Sequence, residues 1–344
     1  MTETAAPNWN TWFSRIRLGR WTDTGAIAWL PFHGVHIFIA GETGYGKSNT
    51  ERVILKELWP GIRDGAVEVI GFDAQLGVEL QEAWDAGMLK EFHFGKGAGE
   101  PTDEYPDGKP YEATFADALE HHVEIMRDRT EQMRKLGLRE WHITKDDPAR
   151  VLLIDEAGQL FRKNVTPKVK NRVIGAIDTL TYQSRKCGYV VVACTQHSNI
   201  DQIPIRHGLT FGVAHRMKNQ LGYEQVTGNG MDMPPLPRGV RGLAYMSGHM
   251  KRVLRTQYIP KLERVREPVI VNSVRMPTID AVYTSEQLPV QDRYFGKSPS
   301  ELEREAARLP LYRPEIGMVD TVTGEVVDGD DQYGRAVEQW SQYR

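Results

Sequence analysis

A chain of 344 residues, 40% hydrophobic and 26% charged, is long enough for one large α/β domain or two smaller ones, with the composition of an ordinary folded protein. No apolar run approaches the roughly 20 residues that cross a bilayer. Cys187 and Cys194 match no metal-ligand spacing and read as buried reduced thiols, which excludes a disulfide-built scaffold. The net charge of −3 singles out no class of partner, and MTETAAPNWNTW has no basic segment leading into an apolar core, so the expected setting is the cytoplasm.

In chain order, residues 1–33 carry Trp9, Trp12, Trp21 and Trp29 and read as short strands and turns. VHIFIA (35–40) is a continuous apolar run closed by glycine, the pattern of a buried strand. A helix is expected from Ser48 to Trp59, stopped by Pro60-Gly61, and AVEVIGFDA (66–74) is a second strand. The Gly/Pro/Asp-rich stretch 95–113 reads as a surface loop. From Phe115 to Gly137 the residues Phe115, Leu119, Val123, Met126, Thr130, Met133 and Leu136 recur at helical spacing, with Glu124, Arg127, Asp128, Arg129, Glu131 and Arg134 on the other face. His121 and His122 are adjacent on this helix and read as surface or edge residues rather than metal ligands.

VLLIDEAG (151–158) is a third buried strand, Lys168 to Lys186 is helical, and GYVVVACTQ (188–196) is a fourth strand. LTFGVAHR (209–216) and GLAYM (242–246) read as further strands. Strands alternating with helices call for a parallel sheet covered on both faces. Beyond about residue 265 the pattern weakens, leaving a short helix at Ser300–Arg308 and a turn at Asp328–Asp331.

Charge is unevenly spread. Pro204 to Arg266 holds 11 Lys/Arg against 3 Asp/Glu, while Ser300 to the end holds 5 Arg against 10 Asp/Glu. The basic stretch, with Arg238, Arg241, Lys251, Arg252 and Arg255, suits either a polyanion partner or a solvated surface.

Gly41-Glu42-Thr43-Gly44-Tyr45-Gly46-Lys47-Ser48, followed by Asn49, has the form G-x-x-x-x-G-K-[ST]. Its glycines admit backbone conformations closed to other residues and let N–H groups approach phosphates. The helix beginning near Lys47 turns its positive end toward them. Lys47 reaches the β- and γ-phosphates of ATP, and the Ser48 hydroxyl ligates Mg²⁺. Asp155-Glu156 ends a strand at the edge where parallel sheets bind ligands. Asp155 is the expected metal partner and Glu156 the base that acts on water, a pairing that points to hydrolysis rather than phosphotransfer to a substrate. Gln196, after Thr195 at the end of GYVVVACTQ, is placed either to sense the γ-phosphate and its water or to cap the next turn.

From about His33 to Pro260 the chain resembles the motor domain of FtsK/SpoIIIE-type DNA translocases, which include conjugative DNA-transfer proteins of actinobacterial plasmids. GETGYGKS resembles the family loop, with Tyr45 where a serine is usual. GFDAQLGVEL keeps Asp73, Glu79 and Leu80 of the next motif, with Gln75 in place of a lysine. ALEHHVEIMRDRTEQMRKLGLRE, LIDEAGQL, SRKCGYVVVACTQHSN, IRHGLTFGVAHRM and GLAYMSG follow in family order, with Arg185 and Arg216 kept and His197 in place of an arginine.

The resemblance implies an α/β fold, a RecA-like P-loop NTPase with a mostly parallel sheet. A short β-rich lead-in (1–33) would precede the motor (34–266), and a weakly structured C-terminal extension (267–344) would follow it. It also implies a homo-hexameric ring around double-stranded DNA, with a neighbour's arginine entering the ATP site; Arg185 is the first candidate and Arg216 the second. A membrane or DNA-recognition partner would supply what the chain does not carry. The rival expectations are a nucleotide-switched assembly or secretion ATPase without a DNA grip, and a packaging motor beside a nuclease.

Overall fold

The computed structural model describes residues 8–75, 77–95, 108–196, 203–230, 233–249 and 251–262, with the backbone of short strands between 269 and 327. Most of the expected 95–113 loop, His197, the Ser300–Arg308 helix and the turn at Asp328–Asp331 lie outside these residues.

Ten strands form one sheet: β1 (Arg15–Trp21), β2 (Ile27–Pro31), β3 (Ile37–Ala40), β4 (Val67–Asp73), β5 (Glu91–Phe94), β6 (Ala149–Asp155), β7 (Tyr189–Thr195), β8 (Phe211–Ala214), β9 (Leu243–Met246) and β10 (Leu254–Thr256). Their order is β2-β1-β10-β9-β8-β3-β7-β6-β4-β5. The six strands from β8 to β5 are parallel, and β9, β10, β1 and β2 add to the β8 side as antiparallel neighbours. Every residue of β3 and β7 is buried, as expected of central parallel strands covered on both faces.

The helices are α1 (Trp9–Phe13), α2 (Lys47–Arg63), α3 (Gln81–Asp85), α4 (Tyr111–Leu136), α5 (Pro167–Gln183) and α6 (Gln220–Thr227). Local sequence starts and stops several of them. Thr166 accepts from Val169 N ahead of Pro167 at the start of α5, and Asn219 accepts from Gly222 N at the start of α6. Gly137 and Gly228 take left-handed conformations that end α4 and α6. The N-terminal hairpin is continuous with the sheet, pairing Gly19 with Thr256, where a Cβ on Gly19 would lie 1.9 Å from the Arg255 carbonyl oxygen. The buried Arg17–Glu57 ion pair ties β1 to α2.

Two expectations need correction. Helix α2 runs through Pro60-Gly61 to Arg63. Gly61 is needed there for close approach, since a Cβ would sit 2.7 Å from Val67 and 2.8 Å from Trp12. The buried face of α4 keeps Phe115, Leu119, Val123, Met126 and Met133 as expected but also takes in Arg129 and His122, while Thr130 and Leu136 are exposed. Arg129 donates to the carbonyls of Cys187 and Pro148 and lies over the rings of Trp141 and Tyr189. A guanidinium is tolerated inside because those carbonyls satisfy it.

Candidate nucleotide site

The site grows from the carboxyl ends of β3, β7, β6 and β4. Register sets Ala40 beside Thr195, Ile154 beside Ala193 and Asp73 beside Asp155, so the loops after these strands open on one edge. Because β7 lies between β3 and β6, Gln196 falls between the glycine loop and the acidic pair.

The loop after β3 turns on Gly44 (φ 82°) and Gly46 (φ 123°), both in the region that glycine adopts without strain. Gly46 precedes α2 and no side chain caps the helix, so its first-turn amides keep their capacity for an external acceptor. Thr43 Oγ1 donates to Gln196 Oε1 at 2.9 Å, linking loop and β7. Ser48 and Asn49 are half-buried on the first turn of α2. Asn49 is spoken for: its amide donates to Gln257 O at 2.7 Å and its oxygen accepts from Ile259 N at 2.8 Å.

Lys47 points into the site, with its side chain 11% exposed and Nζ 3.9 Å from Glu156 Oε2. Burial alone would lower the Lys47 ammonium, yet Glu51, Asp155 and Glu156 around it hold it above its ordinary value. Glu156 is buried in a left-handed conformation (φ 46°, ψ 53°), a costly one for a non-glycine residue. Its Oε1 accepts from Thr195 Oγ1 at 3.0 Å and from Gln196 N at 3.2 Å. Its Oε2 is buried without a hydrogen-bond partner. A carboxylate held by one oxygen and bare on the other is arranged to take a proton from a molecule placed beside it.

Asp155 is buried at the tip of β6, and burial followed by the neighbouring Glu51 carboxylate pushes it up to about 9, opposed by Lys47. Glu51 was not anticipated. It lies one turn after Lys47 on the buried face of α2, and burial raises it as well. The available signal was an acid four residues, about one helical turn, after the loop lysine. Crowding of the buried acids Glu51, Asp155 and Glu156 around one lysine favours protons on Asp155 and Glu51, and a divalent cation bound there would take the place of those protons. The Ser48 hydroxyl and the Asp155 carboxylate are hard oxygen donors of the kind Mg²⁺ prefers. Among the described residues no cluster of three or more His, Cys, Asp or Glu could cage a metal alone, so such an ion would need ligand oxygens too. Asp73 plays a structural part, since its carboxylate accepts from the amides of Gln75, Glu79 and Leu80 and builds the loop after β4.

The remaining expected residues are dispersed. Arg216 pairs with Glu42 of its own loop and lies 5.1 Å from the Tyr45 ring centroid. Arg185 is exposed beyond α5, ahead of β7 and thus at the opposite end of that strand from Gln196. Arg238, Arg241 and Lys251 are exposed, and Arg255 is half-buried in β10. Arg252 is committed to Asp23 through two contacts at 2.8 and 3.0 Å and to the Trp21 ring. Both cysteines are free and buried.

A P-loop, an acidic strand end and an intervening polar strand tip on a RecA-like sheet define the class as a P-loop NTPase. Comparison with solved structures shows the fold shared with ATPases of conjugation and secretion systems. The pCW3 conjugation coupling protein TcpA, in its monomer form with ATPγS, aligns at 19% identity and TM-score 0.53, covering 72% of this chain and 66% of that one. ATPases 2 and 3 of EssC from Geobacillus thermodenitrificans align at 14% identity and TM-score 0.53, covering 87% and 50%. ATPases 2 and 3 of EccC from Thermomonospora curvata, solved with a signal sequence peptide, align at 14% identity and TM-score 0.55, covering 72% and 43%. The chain thus spans between about two fifths and two thirds of the length of these structures. The family pattern of Zonular occludens toxin (Zot) matches residues 109–233. No curated protein matches the chain. No helix among the described residues is long and apolar enough to cross a membrane.

Proposed function

We propose that this chain is an ATP-hydrolysing motor that moves double-stranded DNA through a homo-hexameric ring in the cytoplasm. The observation that carries the hydrolytic part is the buried, strained Glu156, fixed through Oε1 and bare at Oε2 beside Lys47.

The amides of Gly44 to Ser48 hold the phosphates and Lys47 neutralises the β- and γ-oxygens. Ser48 and Asp155 would hold Mg²⁺, which would supply charge to offset the phosphate oxygens. Glu156 Oε2 accepts a proton from the attacking water as that water bonds to the γ-phosphorus and the bond from that phosphorus to the β–γ bridging oxygen breaks, releasing ADP and inorganic phosphate. Gln196, tied to Thr43, reads whether the γ-phosphate is present. Arg185, exposed and remote from its own loop, is the arginine offered to the neighbouring subunit. Arg216, bound to Glu42 and stacked near Tyr45, serves its own loop. Arg238, Arg241, Lys251 and Arg255 supply DNA phosphate contacts, which carry no sequence information.

A specific observation favours a second reading, an ATPase of assembly or secretion: the commitment of Arg252 to Asp23 removes one strong cation from the basic stretch. ATPase rate with and without duplex DNA, at low and high salt, decides between them. The motor reading predicts stimulation that fades as salt rises. No stimulation and no binding at low salt would leave the secretion reading.

A further inference from the structure

His215, the residue that follows β8, is wholly buried under the glycine loop and was not part of the expected site. Its Nδ1 lies 3.0 Å from the carbonyl oxygen of Leu243, and its Nε2 lies 2.8 Å from Thr50 Oγ1. A carbonyl can only accept, so the proton sits on Nδ1, and Nε2 accepts from the threonine hydroxyl. Burial holds the imidazole down to about 4, so this neutral tautomer persists at physiological pH.

The imidazole also shapes the loop. A Cβ at Gly41 would lie 2.6 Å from His215 Cβ, and one at Gly46 would lie 3.0 Å from His215 Cε1. Gly41 is therefore bare where the His215 Cβ and backbone lie, and Gly46 is bare where the imidazole and the Gly242 backbone lie. The same region is fastened twice more to the β9–β10 ribbon. Gly242 N donates to Tyr45 O at 3.0 Å, and Asn49 bonds the backbone at Gln257 and Ile259.

We propose that His215 is a positioning residue for phosphate chemistry, a two-ended bridge that sets the first turn of α2, and with it Lys47 and Ser48, against β9. This rests on the reading of the site as an ATP hydrolase. Thr50 stands three residues after Lys47 and two after Ser48, so a change in its anchor rotates the turn that carries both. Ground-state binding relies mainly on loop amides, whereas transition-state stabilisation needs Lys47 and Ser48 in register, so loss of the bridge falls on kcat rather than on KM. The ribbon that receives the bridge also bears Arg241, Lys251 and Arg255, so one set of hydrogen bonds joins loop and basic stretch.

The test compares steady-state phosphate release from Mg–ATP by the full chain and by Thr50→Val, His215→Asn and the double variant. Thr50→Val keeps the side-chain shape and removes only the hydroxyl. His215→Asn keeps a donor for Leu243 and loses the reach to Thr50. Each single variant is expected to keep the circular dichroism of the parent, to lose about tenfold in kcat and to hold KM within about threefold. The double variant is expected to be no worse than the poorer single one, because both remove one bridge. Thr50→Val with parental kcat, or losses that multiply in the double variant, overturns the inference while leaving the hydrolase reading intact. A parent chain without turnover removes that reading and the inference together.

Discussion

At the residue scale, the role proposed for Glu156 rests on how its side chain is held. The backbone takes on strain in a left-handed conformation at a strand end, and two donors from β7 and the residue after it fix one oxygen so that the other faces Lys47. The two arginines differ in kind. Arg216 is held by Glu42 and Tyr45 of its own loop, so Arg216→Ala is expected to weaken nucleotide binding in the isolated subunit, by about three- to tenfold in a fluorescent-nucleotide titration. Arg185→Ala is expected to leave that titration unchanged and, if the proposed ring forms, to abolish turnover only in that assembly. Parental turnover in assembled Arg185→Ala would move the trans role elsewhere. The loop itself was legible in the sequence because its chemistry is local: glycines, lysine and hydroxyl are consecutive. Glu51 and His215 were not, because their positions in the site depend on which buried face of α2 and which strand end meet it. That is a property of packing.

At the scale of elements, the parallel strands were legible because strands buried on both faces are written as unbroken apolar runs. Strand β5 was missed: Glu91–Phe94 is a short edge strand only partly buried, and nothing in EFHF sets it apart from a loop. Strand β10 is three residues long and acquires its role from β9 and β1. The buried face of α4 is wider than its apolar stripe because Arg129, which polarity assigns to solvent, is assigned by packing to the carbonyls of Cys187 and Pro148. Arg129→Ala leaves those buried carbonyls without their donor and removes the contacts with Trp141 and Tyr189. A loss of about 2–4 kcal/mol is expected from the urea midpoint. A loss under about 0.5 kcal/mol would return Arg129 to the solvated face that its charge suggests.

At the scale of the whole molecule, acid should loosen the fold through its buried histidines. Burial is the main cause that holds His36 and His122 down to about 4, below the 6.5 of an ordinary imidazole. His36 Nδ1 accepts from Val191 N at 3.1 Å, a bond that protonation at that atom would break. Unfolded chains take up these protons as pH falls through 6.5, and the folded chain does so only near 4, so stability is full above the window and is lost within it. Urea unfolding at pH 5 should show about 2 kcal/mol less stability per histidine than at pH 7, and His122→Leu should shrink the difference. The sheet unites these scales, since the strands that bury His36 and Arg129 also align Ala40, Thr195 and Asp155 at one edge. Whether that edge hydrolyses ATP is tested most directly by phosphate release from Mg–ATP, measured for the parent, Lys47→Ala and Glu156→Gln side by side with nucleotide binding. Turnover by the parent, loss of at least about a hundredfold in both variants, and retained ATP binding by Glu156→Gln are expected. Parental turnover by Glu156→Gln, or no binding and no turnover by a folded parent, would contradict this reading of the edge.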